Sequence, residues 1–140
     1  MAFKEINPSA AEINKSDQII LNASQDGHFY VNSKINGKAI RFMIDTGASD
    51  ISISLKDAKK IGVNIKNLEF NKRYQTANGI ALGASISLKE MEVGEIKFFD
   101  LTASVNGGDM NNSLLGMSFL KRLKKYEFYQ DQLILTISQD

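Results

Sequence analysis

The chain contains no cysteine and no tryptophan, and only one proline and one histidine in 140 residues. Without cysteine there is no thiol nucleophile, no disulfide framework and no cysteine-ligated metal, and the redox compartment stays open. A Ser-His-Asp arrangement would have to use the single histidine, His28, and a zinc site of several histidines cannot be assembled within one chain. His28 lies in the alternating run "HFYVNSKI", where a place on a strand surface accounts for it. Neither a metal nor a cofactor is expected.

An excess of charge of one sign is also missing. Lys plus Arg total 17 against 16 Asp plus Glu, a net charge of +1, which gives no general reason to expect a nucleic-acid or anionic-membrane partner. The basic run "KRLKK", residues 121–125, has no interleaved aromatic residue and reads as the solvated face of a short amphipathic helix with Leu123 turned inward. The five methionines show no metal-binding spacing and suit core or dimer packing. No apolar run approaches the roughly 18 residues needed to span a bilayer, and the start, "MAFKEINPSAAEINKSDQ", lacks the apolar stretch of a signal peptide. The chain as given is expected to be a soluble domain.

What is present is enough apolar material for one core: 43% of the residues are hydrophobic. Residues 1–17 are polar, hold the only proline and show no periodicity, so they are expected to form a flexible arm or linker, with the folded domain over 18–140. From Gln18 the chain reads as short strands between turn residues. The segments "QIILNAS", "HFYVNSKI" and "KAIRFMI" are separated by Asp26-Gly27 and Asn36-Gly37, which predicts a three-stranded meander. "SLKDAKKIG" predicts a two-turn helix with Ser54 as N-cap, Asp57 in a capping-box-like position and Gly62 as the stop. Two further hairpins are predicted around Asn78-Gly79 and Gly94. "SLLGMSFLKRLKK" then predicts a second helix after Gly116, and "YEFYQDQLILTI" a closing hairpin at Gln130-Asp131. The expectation is a mainly β protein, a small closed barrel with one or two short helices.

One stretch has the pattern of a catalytic loop. In "RFMIDTGASDISIS" a carboxylate, Asp45, stands at the end of an apolar strand directly before Thr46 and Gly47. Asp-Thr-Gly alone is a modest signal, arising by chance in roughly one chain of this length in thirty at ordinary residue usage. Context sharpens it: small residues follow, and a second apolar-apolar-Gly sequence, Leu114-Leu115-Gly116, opens the second helix.

"MIDTGAS", the hairpin "YQTANGIAL" and "SLLGMSFL", in this order and spacing, resemble a retropepsin-type aspartic protease, closest in flavour to the single-domain retropepsin-like proteases of bacteria. The resemblance spans roughly residues 18–137 and implies the closed acid-protease barrel acting as a homodimer. It implies that Asp45 is catalytic, that Thr46 hydrogen-bonds across to the other Asp loop, and that Gly47 and Ala48 form the turn supporting the acid. The Asn78-Gly79 hairpin would be the flap, with Tyr74, Thr76, Ala77, Asn78 and Gly79 as candidates for flap and substrate contact. Leu114, Leu115 and Gly116 would pack behind the Asp loop. Bacterial relatives are often tethered by membrane helices upstream, so the resemblance also makes a membrane-anchored parent plausible.

Aspartic proteolysis needs two carboxyls sharing a proton, and this chain holds one Asp-Thr-Gly, so the second acid is expected from Asp45 of an identical partner across a two-fold axis. The implied activity is hydrolysis of peptide bonds in extended, largely apolar segments of a peptide or protein substrate. A different class, a catalytically silent dimeric module that binds peptides, would have no need of the intact Asp45-Thr46-Gly47. A phosphoryl-accepting role for Asp45 fails for want of a βα-layered pattern.

In many two-domain aspartic proteases a Ser or Thr stands where this chain has Ala48, and its hydroxyl can donate to the catalytic carboxylate and favour the ionised form. Alanine withdraws that donor. Activity is therefore expected to extend from mildly acidic toward neutral pH, and Ala48→Ser to move the optimum of a peptide-cleavage pH profile downward; an unchanged profile removes the argument.

Overall fold

A computed structural model describes residues 12–14, 17–76 and 79–137. The strands follow from period-two patterning, in which alternate side chains enter the core. Strand β4 (Lys38–Ile44) buries Ile40, Phe42 and Ile44 and turns Lys38, Ala39 and Arg41 outward. It pairs antiparallel with β3 (Tyr30–Ile35) through a two-residue turn at Asn36-Gly37, where both residues have positive φ (53° and 76°), as the hairpin turn matched to strand twist requires.

Four more strands complete a ring. These are β5 (Ile51–Ile53), β7 (Gly79–Val93), β8 (Ile96–Asn106) and β9 (Ser113–Leu115). Their hydrogen-bonded order is β3-β4-β9-β5-β8-β7, and pairing of Ser33 with Val93 and Ile35 with Met91 brings β7 back onto β3. The result is a closed six-stranded barrel, which leaves few free edges. Strand β6 (Lys72–Thr76) lies outside the ring and, among the described residues, pairs only with β7, forming a projecting hairpin.

A second sheet joins β1 (Glu12–Asn14), β2 (Gln18–Asn22), β11 (Gln132–Thr136) and β10 (Lys125–Tyr129), all antiparallel. Here the predicted meander is corrected. Strand β2 does not pair with β3; its register sets Ile19 against Leu135 and Leu21 against Leu133, all four fully buried. Apolar pairing with the far end of the chain outweighs the local turn. At Asp26-Gly27 only the glycine has positive φ, so the two-residue hairpin conformation is absent, and the loop closes instead through Ser24 N–H to the His28 carbonyl. Within the segment expected to be an arm, residues 12–14 form β1.

The first helix, α1 (Leu55–Lys60), starts at Ser54, whose hydroxyl accepts the Asp57 N–H at 3.1 Å. The second, α2 (Met117–Leu120), is shorter than predicted. Past Leu120 the bonds run from Arg122 N–H to Phe119 and from Leu123 N–H to Leu120, a tighter winding that ends the helix, so "KRLKK" is a turn leading into β10. Leu123 is still buried, while Lys121, Arg122, Lys124 and Lys125 are exposed.

Fully buried Phe119 projects from α2 into the core and meets the edge of Phe98 with ring centroids 5.1 Å apart. Phe119→Ala removes that ring from a closed barrel with little room to collapse, and is expected to lower unfolding free energy by about 3–5 kcal/mol, read from denaturant midpoints.

Candidate active site

Asp45 stands where β4 leaves the barrel wall. Its backbone N–H donates to the Leu115 carbonyl at 3.0 Å, and the preceding Ile44 N–H donates to the Phe29 carbonyl at 2.9 Å. Strand β9 runs between β4, to which it is parallel, and β5, to which it is antiparallel. The six-residue excursion from Asp45 to Asp50 is therefore gripped at its base by one short strand.

Within the loop the Gly47 N–H donates to Asp45 Oδ1 at 2.9 Å, and the Ala48 N–H donates to the Asp45 carbonyl at 3.2 Å. This turn fixes one carboxylate oxygen. Asp45 itself is half-buried, with Thr46 and Gly47 exposed beside it. On the far side, three successive N–H groups of the β9–α2 junction donate back into the loop: Gly116 to the Asp50 carbonyl, Met117 to Ala48 and Ser118 to Ser49, at 2.8–3.0 Å. A Cβ at residue 116 would stand 2.5 Å from two of those carbonyl oxygens, so this approach admits only glycine. Leu115 is fully buried and Leu114 half-buried. Behind them Ser113 donates to Asp57 Oδ2 at 2.6 Å and accepts the Ser54 N–H at 3.0 Å, tying β9 to the start of α1.

The β6–β7 hairpin sets Tyr74 opposite Ala81 and Thr76 opposite Gly79; Ala77, Asn78 and the Thr76 side chain lie outside the described residues. Tyr74 spends its hydroxyl within the protein, 2.8 Å from Asp50 Oδ2 and 2.7 Å from Ser104 Oγ. On the hairpin, Ile80 and Leu82 are exposed, and they border an open apolar pocket of about 440 Å³ with Leu55, Ile65 and Phe70.

Asp50 is the residue that sequence reasoning missed. Its Oδ2 takes hydrogen bonds from Lys72 Nζ at 2.9 Å and from Tyr74. The available signal was an acid closing the Asp45 loop together with Lys72 and Tyr74, which alternate onto one face of a strand. Partial burial acts to raise the Asp50 carboxyl, but the hydrogen bonds from Lys72 and Tyr74 outweigh it and hold the group below the usual carboxylate range. The same contact with Asp50, followed by that with Tyr74, holds the Lys72 ammonium above its ordinary value.

Residues 31–122 match the family described as "gag-polyprotein putative aspartyl protease". The chain belongs to that family. It is similar to a retropepsin-like aspartic protease from Rickettsia conorii, whose crystal structure superposes with a TM-score of 0.79 at 41% identity, covering 89% of this chain and 100% of that one. The retroviral protease-like domain of Ddi1 from Leishmania major shares the fold, with a TM-score of 0.56 at 17% identity over 72% of this chain and 80% of that one. An uncharacterized protein of Rickettsia prowazekii (strain Madrid E) is 42% identical over 118 residues, and an uncharacterized Sinorhizobium protein is 39% identical over 119. Each match covers 84% of this chain and 51% of the relative, so the chain spans about half the length of the curated relatives it matches. Among the described residues no helix is long and apolar enough to cross a membrane, and no group of three or more acidic or histidine side chains could hold a metal ion.

The linkage sign at Asp50 is fixed by its lowered value. A carboxyl depressed in the folded state contributes stability above its unfolded value, about pH 3.9, and loses it as pH falls through the folded value. The pair is partly exposed, so the difference should be local: at neutral pH β6 should be better protected from amide exchange in wild type than in Asp50→Asn. The gap should close as exchange in residues 72–76, relative to its intrinsic rate, is followed from about pH 6 to about pH 3.

Proposed function

We propose that this protein is an aspartic endopeptidase whose active site is completed by a second copy of the chain. The observation that carries the reading is the state of Asp45: its backbone is fixed by Leu115, one carboxylate oxygen is fixed by Gly47, and the acid remains half-exposed beside Thr46. Such an acid is held still and left accessible, as a group that must meet another carboxyl requires.

In the proposed reaction the two Asp45 carboxyls share one proton. The ionised one takes a proton from water as its oxygen attacks the peptide carbonyl carbon, while the protonated one delivers its proton to the carbonyl oxygen. The tetrahedral species then collapses: the C–N bond breaks, the amine leaves with a proton, and a carboxylic acid and an amine are released. The atoms balance with water as the sole co-reactant. Thr46 of each chain would bond across to the opposite loop, and the β6–β7 hairpin would act as the flap.

Two features support the dimer. Among the described residues β10 is paired on one edge only, and its Phe128 and Tyr129 are exposed large apolar side chains. Phe128 also packs on Phe29, whose carbonyl receives the N–H of Ile44 beside the acid, so the free edge is continuous with the catalytic loop. Exposed Ile80 and Leu82 and the adjoining apolar pocket support a preference for extended apolar segments. A membrane tether upstream of the domain is proposed on the family resemblance alone.

Wild type and Asp45→Asn, incubated with a denatured protein between about pH 4 and 8, should separate cleanly. Wild type cuts, and the variant falls by at least about a thousandfold because the dyad loses its shared proton. Sedimentation should show a dimer under the active conditions. No cleavage by a demonstrably dimeric wild type would turn the reading to a silent peptide-binding module.

A further inference from the structure

Asp50 belongs to two parts of the molecule at once. Its backbone carbonyl accepts the Gly116 N–H, which makes it the closing residue of the Asp45 loop, while its side chain reaches out of that loop to the β6 arm of the projecting hairpin. We propose that Asp50 is a positioning residue: through Tyr74 and Lys72 it seats the β6–β7 hairpin against the loop that carries Asp45. This rests on the peptidase reading and adds to it a residue that sets where the flap sits.

The contact is built into the fold. Tyr74 gives its single hydroxyl proton to Asp50, so Ser104, buried in β8, supplies its own proton to the same phenol oxygen. The tyrosine thereby bridges from β6 across β7 to β8. Gly83 of β7 makes the crossing possible: a Cβ there would lie 2.6 Å from Tyr74 Cε2 and 2.7 Å from Ser104 Oγ. Lys72 Nζ completes the group, bonded to the carboxylate and 5.5 Å from the centre of the Tyr74 ring.

The effect of this group should be local. The Asp50 and Lys72 side chains are 24% and 43% exposed, and ion pairs in such surroundings contribute little to global stability. Among the described residues, however, strand β6 has one strand neighbour, β7, and a strand with one neighbour opens with a small free energy. A contact at its base can govern the hairpin without governing the barrel.

The test compares Asp50→Asn, Tyr74→Phe and the double variant with wild type, using Glu90→Gln as control because it breaks an exposed pair with Lys97 elsewhere on the β7–β8 hairpin. Amide hydrogen exchange in residues 72–76 and 79–83 should quicken about tenfold in either single variant, with no further gain in the double, and stay at the wild-type rate in β3, β4 and β8. In peptide cleavage KM should rise about tenfold while kcat stays within about threefold. Unchanged exchange in the hairpin, or quickening spread over the whole barrel, overturns the proposal. So does a quickened hairpin with wild-type KM. Exchange needs no substrate, so an inactive wild type would count against the peptidase reading while the exchange result still decides whether Asp50 holds the hairpin.

Discussion

The structure depends on one close approach, that of the Gly116 backbone to the carbonyls of Ala48 and Asp50. Strand β9 is three residues long and lies between a parallel neighbour, β4, and an antiparallel one, β5, so it can hold both ends of the Asp45 loop only if its end comes nearly into backbone contact with that loop. The absence of a Cβ at residue 116 permits this. Three consecutive N–H groups then face the loop carbonyls, and the Leu115 carbonyl faces the Asp45 N–H. The acid is held by backbone bonds on both sides, which are insensitive to side-chain rotamers.

The same loop governs the projecting hairpin by different means. The acid end of the loop is fixed by backbone N–H groups donating to carbonyls and to the Asp45 carboxylate, whereas its Asp50 end speaks to β6 through partly exposed, charge-assisted side-chain bonds. Backbone contacts of this kind leave the loop little freedom. Exposed charged contacts have a smaller net free energy, so they hold the hairpin less firmly than the backbone bonds hold the loop.

Much of the chain was legible because its information is local. Alternation marked β3, β4, β7 and β8, Asn36-Gly37 marked a true hairpin, and Ser54 marked the first helix through an N-cap bond made three residues on. The failures share a cause. Strand β2 sits next to a glycine turn and yet pairs with β11, because Ile19 and Leu21 find Leu135 and Leu133 there. The second helix stops early because Leu123 is buried through a tight turn that leads the chain into β10. Strand β5 is three residues long, too short for alternation to mark it, and lies between β8 and β9, with which it pairs.

By itself the sequence determined the family and the β class, since Asp45-Thr46-Gly47 and Leu114-Leu115-Gly116 are readable as ordered motifs, and it singled out Asp45 as the candidate acid. Only the tertiary structure decided that Gly116 meets Ala48 and Asp50, that β7 closes onto β3, and that Tyr74 reaches Ser104 across Gly83. Residues far apart in the chain become neighbours through register and barrel closure. Local patterning sets which face of a strand is apolar, but which strand that face will meet is set by the packing of the whole core.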